Sequence, residues 1–449
     1  MKKSRHSQAD PKRVDNEDLL NNLQRVTFDY FWHEVNSENG LVADSTRDGS
    51  PASTATVGFA LTIYPIAVTR GFITHDEAVA RTLTTLRFLW ESPQGMQHNA
   101  TGYKGFFYHF LHMEGGQRFE KSELSTIDTA FLLTGALTAA QYFQGDDADE
   151  SEIRHLANAL YRRADWQWAQ DGAATVTMGW TPENGFLPNR WYGYSEALLL
   201  YILALGSPTM PLDPACYSEW TKTYRWDKFY GYELLYAGPL FIHQFPHLWI
   251  DFRQIQDEYM RNHGIDYFEN SRRATYMQQQ YAIENPHGFK RYGEQCWGIT
   301  ACDGPDDDCK VDGKLRHFYG YLARGVPHGP DDGTLAPWAA VASLPFAPEI
   351  VLPTLRFLTE LHLQTPTPYG FKCSFNPTYP AFLEDGQRSE LGWVSPWHLG
   401  INQGPIVIMA ENYRSGLIWQ LMRSCPYLVT GLQRAGFSGG WLAALTEEV

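Results

Sequence analysis

No uninterrupted apolar run of 18 residues or more occurs in the chain, so no membrane-spanning helix is expected. Cysteine is sparse. The six, at 216, 296, 302, 309, 373 and 425, form no CxxC pair and are too few for a disulfide framework, so free thiols are expected. Cys296, Cys302 and Cys309 share one Gly/Asp-rich stretch, where a local disulfide or a metal site is the alternative reading. No HExxH appears. Positive charge is also short: 36 Lys and Arg face 51 Asp and Glu, a formal charge of -15. That excess argues against nucleic acid or an anionic membrane as partner. The opening MKKSRHSQADPKRVDNEDLL has basic residues but no apolar segment, unlike a secretory leader. The chain as written therefore reads as cytoplasmic, or as periplasmic or secreted if a leader has been removed. Alternation of strand and helix patterns is missing too, which excludes a parallel α/β fold.

What is abundant is aromatic: 14% of the 449 residues, including 15 Trp and 25 Tyr. Such rings fill cores, and their polar tips and flat faces also suit stacking on sugars. Residues 1–15 read as a charged, disordered tail. From Asn16, a plausible cap, amphipathic helical patterns alternate with wholly apolar ones. The amphipathic stretches are 16–33, 75–91, 150–169, 252–263, 267–282 and 348–362. The apolar ones are 54–69, 122–143, the helix after Glu196, 335–346 and 404–422. Helices buried all round, alternating with half-exposed ones, predict two concentric layers. The expected fold is an all-α (α/α)6 toroid formed by residues 16–449 as one domain. Short hairpins are expected within 173–180 and 370–375. Long aromatic loops should gather at one rim and form a substrate cleft.

The stretch WYGYSEALLLYILALGSP, from Trp191 to Pro208, is the sharpest local signal. It sets the carboxyl of Glu196 among Trp191, Tyr192 and Tyr194, at the start of an apolar helix stopped by Gly206-Ser207-Pro208. Apolar surroundings hold a carboxyl protonated, as a general acid requires, while the helix dipole favours the anion. A first-turn Glu is also common for purely structural reasons. Between Tyr236 and Asp257 fall His243, His247, Trp249, Asp251 and Arg253. Pro246 interrupts any helix that would align the two His, so a metal pair is disfavoured. Asp251 with Arg253 reads as a wall-bracing ion pair or as sugar-binding groups. Glu284, then Glu294, Trp297 and Asp303, again place carboxyls beside aromatics and Gly. Glycoside hydrolysis needs two carboxyls flanking the scissile bond.

Several long motifs occur in one order: GYSEALLLYILALGSP (193–208), GPLFIHQFPHLWIDFR (238–253), DYFENSRRAT (266–275), IENP (283–286), YGEQCWGITACDGP (292–305), DGTLAPWAAVASLPF (332–346) and GINQGPIVIMAENYRSGLIW (400–419). TFDYFW (27–32), GLVADS (40–45), ATVGFAL (55–61) and STIDTAFLLTGAL (125–137) extend the pattern toward the N-terminus. Together they resemble the glucoamylase-like bacterial glycoside hydrolases of the β-1,2-glucanase type, glycoside hydrolase family 144 and its relatives, including the transglycosylation domain of cyclic β-1,2-glucan synthases. The resemblance implies an (α/α)6 toroid acting on β-1,2-glucan without metal or organic cofactor. It implies that Glu196 is the general acid and that Glu284 corresponds to a second carboxyl of retaining relatives. The expected activity is an endo-β-1,2-glucanase releasing short sophorooligosaccharides. A retaining transglycosylase and a non-catalytic glucan-binding protein are the alternatives. Glu196, Glu284 and Glu294 are the candidates for the chemistry. Asp128, Trp191, Tyr194, His243, Trp249, Asp251, Arg253, Tyr292, Trp297, Asp303, Asn402 and Gln403 are the candidates for holding sugar. The chain departs from the resemblance at Asn402, where relatives often carry Asp. An amide cannot act as a base, so that role would pass to another acid, with Asp128, Glu294, Asp303, Asp385 and Glu390 in view. The stretch 381–396 also looks unlike the usual pattern.

Overall fold

The computed structural model describes residues 11–363, 368–383 and 385–444. Helix α1 (Pro11–His33) starts ahead of the expected Asn16, because Pro11 is well suited to a first helical turn. Asn16 lies inside it and accepts a hydrogen bond from Arg356. The remainder of the expected tail, residues 1–10, lies outside the described residues. Ser53 then caps α2 (Thr54–Thr69), which is buried along nearly its whole length. A reciprocal capping box, Thr74 with Glu77, opens α3 (His75–Glu91). Ser125 caps the buried α4 (Thr126–Tyr142), and Asp147 caps α5 (Ala148–Arg163). The expected helix 150–169 breaks at Asp165, which caps a separate short α6 (Trp166–Gln170).

The apolar helix after Glu196 is α7 (Ala197–Gly206), buried at every position. After α8 (Pro214–Thr221) come two 3-10 turns, Leu240–His243 and Phe245–Leu248. Pro246 prevents their fusion into one helix. Next are α9 (Glu258–His263), which starts only after its cap Asp257, and α10 (Tyr267–Glu284). The chain continues through α11 (Pro337–Ala342), α12 (Pro348–Glu360) and α13 (Gly400–Arg414). The expected single helix 404–422 divides at Gly416, whose φ of +71° is left-handed, so α14 (Leu417–Arg423) follows as a separate piece. Finally come α15 (Pro426–Arg434) and α16 (Gly440–Ala444).

Packing closes these elements into an (α/α)6 toroid. The inner ring runs α2, α4, α7, the pair of 3-10 turns, α11 and α13, and α13 packs back on α2. Gln244 joins the turns to α11 by donating to the Ala339 carbonyl at 2.7 Å. Outside lie α1, α3, α5, α15, α10 and α12. Two contacts are too close for side chains. A Cβ on Gly135 would overlap the backbone of Gly58, fixing α4 against α2, and one on Gly431 would overlap the Ile202 carbonyl, fixing α15 against α7. A five-stranded antiparallel sheet, in order 102–103, 106–108, 124–125, 179–181 and 185–186, lies beside the start of α4. The strand at 179–181 overlaps only the end of the expected 173–180 hairpin, and it pairs with 124–125 and 185–186. Phe375–Asn376 pairs instead with Trp393–Val394, so 370–375 is not a hairpin by itself.

All six cysteines are free, as expected. Among the described residues, no helix is long and apolar enough to cross a membrane.

Candidate active site

The inner elements all present their N-terminal ends to one cleft. Its walls include Ser53, the cap of α2; Ile127, Asp128 and Phe131 from the first turns of α4; and Glu196, the cap of α7. Phe241 and Phe245 come from the 3-10 turns, Trp338 from the start of α11, and Leu399, Ile401 and Asn402 from the start of α13. The cleft has two lobes of about 200 and 240 Å³, and His109, Tyr321 and Ile401 border both. One contains Glu196, Asp128 and Asn402; the other contains Asp44, Arg47 and Asp303.

Glu196 has helical backbone angles and makes no side-chain capping bond, so its carboxyl is left to the pocket. Although that carboxyl opens on the cleft, the aromatic walls keep most water from it. Burial pushes its pKa up to about 7, opposed by a backbone N–H and reinforced by the charge of Asp128. Asp128 is fixed in the first turn of α4: Ser125 Oγ donates to its Oδ2 at 2.5 Å and accepts from its backbone N–H at 3.2 Å. Its other oxygen lies 3.6 Å from His109 Nε2. The second ring nitrogen of His109 meets Glu123 at 2.9 Å. Burial alone would lower the His109 pKa, but Asp128, Glu123 and Asp44 outweigh it and push it up to about 9. His109 is therefore an imidazolium at neutral pH, stacked on Phe110 with ring centroids 3.9 Å apart. In the adjoining lobe Arg47 donates to Asp303 at 2.6 Å. The cleft thus combines a carboxyl that holds its proton near neutrality, further carboxylates, and an aromatic lining. That set can transfer protons to and from an uncharged ligand.

Of the residues expected at the site, Glu196, Asp128, Asp303 and Asn402 line the cleft. Asn402 donates to Cys373 Sγ at 3.0 Å. Several others support it from behind. Trp191 donates to Thr126 Oγ1 at 3.1 Å, Trp249 packs under Phe131 and donates to Thr62 at 2.9 Å, and Gln403 donates to the Phe371 carbonyl at 2.9 Å. Tyr194 is buried against Tyr267 and His243. His243 meets the Ala237 carbonyl at 3.1 Å, and burial pushes its pKa down to about 4, leaving it a neutral core histidine. Tyr292 donates to Asp331 and Trp297 to Thr354, away from the cleft.

Two expectations for catalysis do not fit. Glu284 is exposed at the C-terminal end of the outer α10, where Gln280 donates to it at 3.2 Å. Glu294 is exposed in the loop that follows. Neither lines the cleft, because IENP ends an outer helix and YGEQ lies in the loop after it, and neither begins an inner helix. Asp251 and Arg253 form a bidentate ion pair, at 2.7 Å for each bond, in a separate groove with Arg423 and Trp419. They are therefore the bracing pair rather than sugar ligands of the cleft. His247 bonds Ser271 rather than pairing with His243, and among the described residues no cluster of three His, Cys, Asp or Glu could hold a metal ion.

His109, Asp44, Arg47, Glu123 and Tyr321 escaped the reading of the sequence. His109 follows strand 106–108 of the short sheet, and Asp44 is fixed by Gly400 N–H at the start of α13, so contacts distant in sequence bring them to the cleft.

A helical toroid with carboxyl groups gathered at the N-terminal rim of its inner helices places the chain among the glucoamylase-like (α/α)6 barrels. Residues 188–426 match the family model described as "Putative glucoamylase", and the chain belongs to that family. A solved glucoamylase-family structure from Bacteroides uniformis is 32% identical, with TM-score 0.83 over 97% of this chain and 100% of that one. An endo-beta-1,2-glucanase from Chitinophaga pinensis, solved with sophorotriose and glucose, is 26% identical, with TM-score 0.82 over 95% of this chain and 99% of that one. An exo beta-1,2-glucooligosaccharide sophorohydrolase (non-reducing end) of Parabacteroides distasonis is 29% identical over 94% of this chain. The chain spans 58% of the length of that relative.

Proposed function

We propose that this protein is a glycoside hydrolase that cleaves β-1,2-linked glucan, with Glu196 as general acid. The observation that carries the reading is the Glu196 carboxyl, pushed up to about 7 in a cleft lined by aromatics and further acids. The linkage comes from the activities named for the relatives. In the reaction Glu196 gives its proton to the leaving glycosidic oxygen as the C1–O bond breaks. Asp128, the Arg47–Asp303 pair and Tyr321 are placed to meet the hydroxyls of the sugars on either side. No metal or organic cofactor enters the proposal.

Internal cleavage, releasing short sophorooligosaccharides, is the mode proposed, because the cleft continues past Glu196 into the Asp44 lobe. The sophorohydrolase relative favours a second mode, removal of sophorose from the non-reducing end. Incubation with long linear β-1,2-glucan separates the two. A rapid fall in mean chain length with mixed oligosaccharides supports the endo mode, and sophorose alone at constant chain length supports the exo mode. Failure to raise reducing ends on β-1,2-glucan, with activity on β-1,3-, β-1,4- or α-1,4-glucan instead, overturns the substrate assignment.

A further inference from the structure

One carboxyl group in the cleft differs from its neighbours in bonding. Asp44 has its backbone pinned on both sides: its N–H donates to the Pro51 carbonyl at 2.8 Å, and its own carbonyl accepts from Gly400 N–H at 2.7 Å. Its side chain is thereby held at the second lobe. Among the described residues no donor hydrogen-bonds to its carboxyl, which only feels the charges around it. The other acids are engaged: Asp128 by Ser125 and His109, Asp303 by Arg47, and Glu123 by His109. Asn402, beside Glu196, is an amide and accepts no proton at neutral pH.

We infer that Asp44 is the general base of the hydrolysis, taking a proton from the water that attacks the anomeric carbon while Glu196 protonates the leaving oxygen. The inference rests on the glucanase reading. In this step the new bond joins the water oxygen to C1. The C1–O bond to the leaving sugar breaks, and its electron pair takes the Glu196 proton. One water proton passes to Asp44, and exchange with solvent restores both carboxyls. The two groups line adjoining lobes that share His109, Tyr321 and Ile401 as walls, and a base acting through water stands across the sugar from the acid rather than against it. A base needs a free lone pair, and among the described residues no donor occupies either oxygen of the Asp44 carboxylate, whereas Arg47 holds one oxygen of Asp303 and Ser125 one oxygen of Asp128. Burial pushes its pKa up to about 6 against the pull of His109 and Arg47, with Asp128 and Asp303 raising it further. Tyr321 faces the same lobe. Asp44 is thus ionised near pH 7 yet more basic than a solvated carboxylate. A single displacement by water inverts the anomeric configuration.

The test has two arms. Proton NMR of the first products from wild-type protein should show the α-anomer; a β-anomer overturns the inference. Asp44→Asn should lose about 10²–10⁴-fold in kcat with an unchanged melting temperature, and added azide should restore turnover as an α-glycosyl azide. Activity within about tenfold of wild type overturns the inference alone, leaving the glucanase reading intact. Wild-type protein that releases no reducing ends from β-1,2-glucan overturns the glucanase reading, and the base assignment with it. Should Asp44→Asn misfold, the NMR arm on the native protein decides.

Discussion

Glu196 shows how one residue takes opposite instructions from its surroundings. The start of α7 favours the anion, while the pocket withholds the water that would solvate it, and burial wins. A carboxyl whose folded pKa exceeds its unfolded one contributes stability that is full below the unfolded value, 4.5, and is lost as pH rises through about 7. Glu196→Gln removes the ionisation and keeps the shape. At pH 8 the variant should melt no lower than wild type, while kcat on glucan falls by about 10²-fold or more. A lowered melting temperature with activity kept would make Glu196 structural. Glu284→Gln and Glu294→Gln, altering exposed groups outside the cleft, should each stay within about threefold of wild-type kcat. His109 carries the opposite linkage. Its folded pKa is raised from 6.5 to about 9, so its pairing with Asp128 and Glu123 stabilises fully below 6.5 and is lost as pH rises through about 9. The melting-temperature advantage of wild type over His109→Gln should shrink over that window. An advantage unchanged from pH 6 to 10 would exclude the charged cluster.

At the scale of elements, the inner layer is held by backbone contacts as well as by apolar side chains. In an isolated helix Gly135→Ala would add about 1 kcal/mol of helix propensity. In α4 the new methyl meets the backbone of Gly58, which cannot turn aside as a side chain would. Overlap of this kind costs about 1–3 kcal/mol, so the packing penalty exceeds the propensity gain and Gly135→Ala should lower the melting temperature. A raised melting temperature would show that α2 and α4 can separate freely. This geometry also bears on what the sequence could reveal. The buried helices α2, α4, α7, α11 and α13 announced themselves as apolar all round, and α7 with its Glu196 was legible to the residue. The sixth inner element was not, since Pro246 makes it two 3-10 turns without helical periodicity. Glu284 and Glu294 misled because a carboxyl beside aromatics looks alike on either layer. The register of the inner helix starts is what turns Asp128 and Glu196 to the cleft. His109 and Asp44 reach that rim through the short sheet and the contact with Gly400, and neither arrangement leaves a local pattern.

The whole molecule puts six N-terminal ends around one cleft, and with them partial positive charges that offset the carboxylates gathered there. A chain with formal charge -15 can thereby keep Asp44, Asp128, Asp303 and Glu196 in one place, aided by His109 and Arg47. Glu196, pushed up to about 7, and His109, pushed up to about 9, titrate in different ranges, and this separates their effects on rate. If Glu196 acts as the acid, kcat/KM on glucan must fall as pH rises through about 7, where its proton leaves. His109 keeps its charge to about 9, so the neighbouring pairs should remain intact across that first decline. A poor leaving group needs the proton, and an aryl sophoroside with an activated leaving group does not. The decline near pH 7 should therefore appear with glucan and vanish with the aryl substrate, if the cleft accepts it, while any loss near pH 9 should appear with both. The same fall near pH 7 on both substrates would assign that titration to substrate binding or to the water-attack step instead, and would remove Glu196 from the role of acid.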